Sequence, residues 1–474
     1  MSRTRLPLES LPLWMSLNNA EFPHARVQGI EHKGYGLVAL AKSDDIGEAP
    51  LVTVPHDLVL NAETVENYAK ADCNFKALLD ACGHHSPRHD ILLFLLAQLA
   101  LSTYPNEHGG QLTPWTEYVK FLEDDVPLPT LWTEDERSLL KGTSLEPALV
   151  AKTLALTREF DNVRDKSSEI DCWRSLFWDN DFIHLTDWYR LDAWFRSRVL
   201  ELPRSGTSMV PYIDMANHAS DANAYYEETS QDEVTLLLRP GHQLDIGDEV
   251  TISYGSEKSA AEMLFSYGFL DASSAVRSLT LPLDPTLDDP LARAKAHVFT
   301  GVPSILVKEA EGQVEWTSPF AYLVCLNEED GLDFRILQSS DGSRELRMFW
   351  QDEDVTEQAA SIEVLISCHQ LHDVFKLRAN MIVAQKLEEQ LQNLCESAEA
   401  DAADMLESFN AKNARELRTL EKTILEKATV TLEDQRNNLL ALDSVVAYLE
   451  SMQAGSETHD TGGDENDDSE NDFS

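Results

Sequence analysis

Two polar signatures interrupt an otherwise β-like stretch between Met209 and Leu270, namely Asn217-His218 and Tyr254-Gly255. Met209 to Met215 is a short apolar run that stops at Ala216-Asn217-His218, where two hydrogen-bonding side chains stand in place of apolar or charged ones. That change predicts a polar ligand at the end of the run. Val250 to Ser253 reads as a buried-type strand that delivers Tyr254 at its end. A phenol there can donate or accept a hydrogen bond and stays neutral at pH 7. Upstream, Gly34-Tyr35-Gly36 sets two glycines around one residue, which lets backbone approach a ligand without interference from Cβ; a plain hairpin turn is an equal reading of that pair alone. His84, His85 and His89 lie near a Ser-Pro turn but have no Cys or carboxylate at ligand spacing, so they read as a solvated loop and no metal is expected.

The elements that must hold these residues follow from periodicity and turn chemistry. Ala224 to Arg239 alternates and reverses through Thr229 to Asp232, which predicts a hairpin. Ile246 to Glu249 is a tight turn with Gly247 at its unusual φ, and the stretch ends in a helix closed by Tyr267-Gly268-Phe269. Near the N-terminus, Val27 to Ile30, a turn over Lys33 to Gly36, Leu37 to Leu40 and Leu51 to Val54 read as strands. From Ala62 to about Tyr189 the period becomes helical, over Val65 to Leu79, His89 to Leu101, Thr133 to Leu140 and Glu146 to Val163. The tryptophans of this part are expected in the core. Trp188 to Leu200 reads as a helix carrying Arg190, Arg196 and Arg198. A Pro- and Asp-rich link, Leu281 to Pro290, leads to short strands up to Trp350. Long helices follow from Val355 to Leu449, with Leu377, Met381, Ala384, Leu387, Leu391 and Leu394 as an apolar stripe. The stripe is interrupted at Asn410 to Asn413, which argues against a coiled-coil dimerisation arm and leaves a monomer as the expectation.

The order Asp-x-x-Asn-His (Asp214 to His218), hairpin, Gly-Asp-Glu-Val-x-x-x-Tyr-Gly (Gly247 to Gly255), then helix with Tyr-Gly-Phe (Tyr267 to Phe269) resembles the SET-domain lysine methyltransferases. It is most similar to the subgroup of the plant Rubisco large-subunit methyltransferase and the fungal ribosomal-protein lysine methyltransferases. The resemblance covers residues 22–270 by motif and 290–450 by architecture; Ala219 departs from the Ser that often follows Asn-His. It implies an α+β fold: a SET-type β domain over 22–270 interrupted by a helical insertion at about 62–189, then a mostly helical substrate-binding domain over 290–452. Residues 455–474, with eight acids and no Lys or Arg, are expected to form a disordered tail.

The resemblance also implies S-adenosylmethionine as cofactor, contacted by Gly34, Tyr35 and Gly36 and cradled by Asn217 and His218, with Asp214 close by. Arg198 aligns with an arginine that meets the cofactor carboxylate, and Arg196 is the other candidate. Tyr254 is implied as the catalytic phenol, and Tyr267 and Phe269 as the lining of the substrate channel. Methyl transfer to an amine needs no enzymic nucleophile; it needs an unprotonated amine held in line with the methyl group, and desolvation lowers the amine's affinity for its proton.

The chain has 474 residues and a formal charge of −45. Such an acidic body repels phosphate backbones, so no direct nucleic-acid partner is expected, and a Lys-rich protein is favoured, ribosomal proteins among the candidates. The longest apolar run, Ile91 to Leu101 with Gln98 inside it, falls short of the roughly 18–20 residues of a membrane span. No secretory signal is read at the N-terminus, and the six cysteines form no C-x-x-C pair, so a reducing cytoplasm or nucleus is expected. A histidine acceptor, or a SET-like body that binds basic proteins without chemistry, are the alternatives to a lysine acceptor.

Overall fold

Three small sheets form the scaffold of the N-terminal part. Strand β1 (Ala25–Ile30) pairs antiparallel with β2 (Gly34–Ala39). The remaining strands here are β3 (Val52–Val54), β4 (Val199–Leu202), β5 (Gly206–Met209), β6 (Asn217–His218), β7 (Ala224–Glu228), β8 (Val234–Leu238) and β9 (Glu249–Ile252). They assemble as β1-β2-β9-β6, β3-β8-β7 and β4-β5. The predicted hairpin is β7-β8, and Gly247, at φ +92°, turns the chain into β9. Gly34-Tyr35-Gly36, read from sequence as the turn itself, instead opens β2 opposite Ile30, Gly29 and Gln28. The reversal closes earlier, where Lys33 N–H donates to Ile30 O at 3.1 Å.

These strands belong to a computed structural model that describes residues 4–31, 33–103, 110–179, 181–271, 276–285, 289–310, 312–338, 343–399 and 407–459. The fold is α+β, with two compact units: residues 1–141, 145–276 and 402–417 make the first, and 142–144, 277–401 and 418–474 the second.

Within the first unit, the helical stretch after Ala62 holds α1 (Ala62–Ala71), α2 (Cys73–Cys82), α3 (Pro87–Thr103), α4 (Pro114–Tyr118), α5 (Leu145–Ser167) and α6 (Leu185–Arg198). The sequence suggested one helix over Val65 to Leu79; Asp72 divides it, leaving helical geometry to cap α2 through the N–H groups of Asn74 and Phe75. Helix α3 is buried almost all round, which explains its weak amphipathic pattern. Trp115, Trp173, Trp188 and Trp194 are core residues, and each indole N–H finds an acceptor: Leu58 O, Asn74 O, the Glu159 carboxylate and Glu123 O respectively. His89 corrects the solvated-loop reading, because it is buried in α3 with Nε2 3.0 Å from Cys82 O. Two residues past the end of β9, Tyr254 leads toward α7 (Ala260–Tyr267), which is capped by Ser259 and stopped by Gly268 at φ +82°. Any Cβ on Gly268 would lie 2.5 Å from Pro127 O.

The second unit opens on β10 (Arg277–Pro282), whose last two residues fall in the expected link; it pairs with β11 (Ser304–Ala310) and buries Leu279 and Leu281. With β12 (Gln313–Thr317) they make one sheet; β13 (Leu332–Gln338) and β14 (Arg344–Trp350) belong to another. Helix α8 (His372–Glu399) packs Phe375, Ala379, Val383, Leu387 and Leu394 inward. Met381 was expected on that stripe but is 54% exposed, because the buried face follows a four-residue step from Phe375 that misses it. Helix α9 (Phe409–Leu440) runs unbroken through Asn410 to Asn413, so the supposed interruption is not a helix end. Helix α10 (Asp443–His459) extends into the stretch expected to be disordered; Val445 packs with Val374 and Leu377 at its start, and propagating a formed helix costs less than starting one. The rest of the expected tail, 460–474, lies outside the described residues. No helix among the described residues is long and apolar enough to cross a membrane.

Candidate functional site

A left-handed turn aims the Asp214 to His218 segment. Tyr212 sits at φ +75°, a conformation costly for a residue with a side chain, and it starts a short 3-10 turn over Ile213–Met215. The chain then enters β6, which runs parallel to β9 with Asn217 opposite Thr251 and His218 opposite Ile252. Asn217 Nδ2 donates to Glu249 Oε1 at 2.8 Å, and the other oxygen of Glu249 is 2.7 Å from Lys33 Nζ. Gly36 lies behind this pair: a Cβ there would come within 2.7 Å of Asn217 Nδ2 and 2.6 Å of Ile30. Gly34 is required for a different reason, its φ of +75°.

His218 connects β6 to Tyr254. The backbone N–H of Tyr254 donates to His218 Nδ1 at 3.0 Å, and Nε2 lies 3.3 Å from Asp271 Oδ2. Nδ1 is also 3.3 Å from Ile252 O, but the shorter contact and the carboxylate at Nε2 both select the tautomer with its proton on Nε2. The Tyr254 ring stacks on His218, with centroids 5.2 Å apart, and packs at a tilt against Tyr267, at 4.4 Å. Its hydroxyl donates to Ala216 O at 2.8 Å, which leaves the oxygen lone pairs free to accept. Burial pushes the Tyr254 phenol well above its ordinary value, with Arg198 pulling the other way, and pushes Tyr267 up to about 12; both stay neutral at physiological pH.

The two arginine candidates separate cleanly. Arg196 bonds through Nε to Asp192 at 2.8 Å and through Nη2 to Thr130 at 2.8 Å, while Nη1 donates to Phe265 O. Its whole guanidinium is committed to structure. Arg198, at the end of α6, donates from Nη1 to Asp214 O at 3.2 Å and keeps a buried Nε without a partner. Asp214 accepts from the Tyr118 hydroxyl at 2.6 Å through Oδ1, while its buried Oδ2 has no partner. Burial pushes this carboxyl up to about 6, against the opposing effects of Arg198 and the Tyr118 hydrogen bond.

Two cavities open on these residues. One, of about 360 Å³, is lined by Gly34, Tyr35, Glu123, Asn217, His218, Phe269 and Phe409 among others. The second, of about 310 Å³, is lined by Glu201, Tyr226, Gly255 and Lys258 among others. Ser197, Arg198, Asp214, Tyr254 and Tyr267 line both, so they form a shared wall, the waist between the two cavities. Of the residues singled out from sequence, Gly34, Tyr35, Arg198, Asp214, Asn217, His218, Tyr254, Tyr267 and Phe269 are thus brought together. Phe269 lines the first cavity and not the second, and Gly36 supports Asn217 without lining either. Tyr118, Glu123, Glu249 and Asp271 were missed. Glu249 was visible in the Gly-Asp-Glu-Val run, but nothing local marks Tyr118 or Asp271 as neighbours of Asp214 and His218. A larger open hollow of about 790 Å³ in the second unit, between Gly312–Glu315 and α9, gathers no comparable set of buried, unpaired polar atoms. No group of three or more potential ligands for a metal occurs among the described residues.

No protein-family model matches the sequence. SET domain-containing protein 8 of Schizosaccharomyces pombe is 29% identical over 434 residues, which cover 90% of this chain and 94% of that protein. The tobacco Rubisco large-subunit N-methyltransferase is 26% identical over 273 residues, covering 55% of this chain and only half, 50%, of the tobacco protein. Among solved structures, the SET domain of LSMT bound to lysine and AdoHcy superposes with a TM-score of 0.65 at 19% identity, over 92% of this chain and 93% of that one. The polar waist at Tyr254, the order of the motifs around it and these comparisons make the chain similar in sequence to the SET-domain lysine methyltransferases, and it shares the fold of their solved members.

Proposed function

We propose that this protein transfers methyl groups from S-adenosylmethionine to a lysine side-chain nitrogen of a basic protein, ribosomal proteins being the first candidates. One observation carries the reading: two cavities share a waist whose wall includes a neutral phenol with its O–H donated to Ala216 O. Solved relatives of the same fold were crystallised with AdoMet or with AdoHcy and lysine. Relatives in sequence are named as N-methyltransferases of the Rubisco large subunit and of fructose-bisphosphate aldolase lysine.

The residues fit the cofactor. The first cavity falls within the ~300–1,000 Å³ of small-ligand sites. The buried, unpartnered Nε of Arg198 suits a carboxylate, and Gly34 and Tyr35 line the same cavity. When bound, the cofactor supplies a methyl group on a positively charged sulfur. The chain's own part is placement. Tyr254 presents lone pairs to an amine N–H or a polarised C–H at the waist. Its packing against His218 and Tyr267, and the hydrogen bond from its own N–H to His218, fix that oxygen before substrate arrives. The aromatic wall keeps water from the amine, which favours its unprotonated form.

The acceptor side faces a rim with Glu201 and Lys258, and the −45 formal charge of the chain favours a cationic partner. A cytoplasmic or nuclear monomer acting on a Lys-rich protein is the working picture. Two experiments test it. Calorimetric titration with S-adenosylmethionine in the presence of chelator should show one site per chain. Incubation of salt-washed cell extract with methyl-labelled cofactor should label a basic protein on lysine; label on histidine would change the acceptor, and no cofactor binding would end the enzymic reading.

A further inference from the structure

We propose that Tyr118, far from the catalytic motifs in sequence, is a positioning residue of the methyl-transfer site and acts through Asp214; the proposal rests on the function argued above. Tyr118 ends α4, is fully buried and is packed by Trp14 and Trp115, with ring centroids 5.1 and 5.0 Å away. Its hydroxyl makes two bonds at once. It donates to Asp214 Oδ1 at 2.6 Å and accepts the Tyr212 N–H at 3.1 Å. One oxygen therefore ties down both the strained residue that starts the turn, at φ +75°, and the acid two residues later. With Oδ1 held, the buried Oδ2 stays without a hydrogen-bond partner on a residue that lines both cavities.

An enclosed carboxylate oxygen with no donor, beside a channel meant for an amine, has a chemical use. As an anion it attracts an arriving ammonium and balances the charge that methylation leaves on nitrogen. That use requires Asp214 to be ionised. The groups that face it are Arg198 from α6, Tyr118 from α4 and Tyr254 beyond β9. Burial favours the protonated acid, and Arg198 together with the Tyr118 hydrogen bond oppose it, holding the carboxyl at about 6. Deleting the Tyr118 hydroxyl removes one of the opposing effects, so the carboxyl must rise and a smaller fraction be ionised at neutral pH.

Tyr118→Phe keeps the aromatic packing and removes only the oxygen. Initial rates of labelled methyl incorporation into salt-washed extract should show the acid limb of the pH profile moving to higher pH, by on the order of one unit. The dissociation constant for S-adenosylmethionine should stay within about twofold, because Tyr118 does not line the first cavity and Arg198 keeps its bond to the Asp214 backbone. Asp214→Asn should abolish that limb, and adding Tyr118→Phe to it should cause no further change in the profile. A limb that stays in place in Tyr118→Phe, or that persists in Asp214→Asn, overturns the proposal. The infrared carboxyl band of Asp214, identified by difference against Asp214→Asn, supplies a readout without turnover: its titration should move upward in Tyr118→Phe, and an unmoved band is a negative answer. Should Tyr118→Phe not fold, Asp214→Asn alone decides through the presence or absence of the limb. Failure of the wild-type protein to bind S-adenosylmethionine would instead refute the proposed function, whatever the carboxyl band does.

Discussion

Asp192 and Asp214 are both buried acids of the first unit, and their surroundings drive them to opposite states. Asp192 is fully enclosed among Arg88, Lys152 and Arg196, with contacts of 2.6, 2.8 and 2.8 Å. Burial alone would raise its carboxyl, but the three cations together hold it below the ordinary value. Asp214 has one tyrosine on one oxygen, nothing on the other and only Arg198 as a cation, and its carboxyl rises to about 6. The first region spends every donor on closing the helices of the insertion against each other. The second leaves both an acceptor and a donor, Asp214 Oδ2 and Arg198 Nε, without partners in the interior. Incomplete satisfaction of that kind is costly unless a ligand completes it, which separates a structural ion cluster from a binding site.

The largest effect expected from this contrast is in the structural cluster. Asp192→Ala takes the shared carboxylate from Lys152 and Arg196 and leaves Arg88 only Glu159, and should destabilise the protein by about 3–5 kcal/mol, read as a fall in thermal or denaturant midpoint. A tolerated substitution would mean that the cluster is not the clamp described here.

The two arginines, two residues apart on α6, sharpen the same contrast. Arg198→Met should weaken S-adenosylmethionine binding by roughly tenfold or more in calorimetry, the scale of a lost charged hydrogen bond, with a modest change in stability. Arg196→Met should do the reverse, lowering stability while the folded fraction keeps its cofactor affinity. Equal cofactor defects in both would dissolve the distinction.

A smaller effect is expected from a third buried acid, Glu421 of the second unit, whose oxygens accept from the N–H and hydroxyl of Ser144. Burial pushes its carboxyl up to about 7 from an ordinary value of 4.5, against the Ser144 hydrogen bonds and Arg418. The folded chain thus holds this proton more tightly than the unfolded chain. The resulting stabilisation is complete below the unfolded value and is lost as the pH rises through about 7. Glu421→Gln should flatten that decline, seen as a smaller difference between denaturation midpoints in acid and in mild alkali. An unchanged difference would show that Glu421 is not the group responsible.

Much of this arrangement was legible before any coordinates. The hairpin over β7-β8, the Gly247 turn, Tyr254 beyond β9 and the Gly268 stop of α7 are local events, each set by alternation or by a residue able to adopt positive φ. The choice between Arg196 and Arg198 was also within reach: Asp192 precedes Arg196 by four residues on one helix, the spacing of an ion pair, and α6 turns the two arginines to different faces. Gly34-Tyr35-Gly36 was misread as a turn because glycines signal reversal and close approach alike, and only pairing with β1 tells them apart. Met381 fell on the wrong face because both three- and four-residue steps are allowed along a stripe, and a long helix lets the error accumulate. Tyr118 lies 96 residues from the aspartate it holds, and no local period encodes so distant a contact.

The central claim is that methyl donor and amine meet at the Tyr254 hydroxyl. It is tested most directly by the single-turnover rate of methyl transfer in Tyr254→Phe, at saturating S-adenosylmethionine and with folding checked by thermal melt. The phenyl ring keeps its packing against His218 and Tyr267, so cofactor affinity should change little. Loss of the preorganised oxygen should lower the rate by roughly 10²-fold or more. A near-wild-type rate would contradict the account and move the role from Tyr254 to Tyr267, the other phenol at the waist.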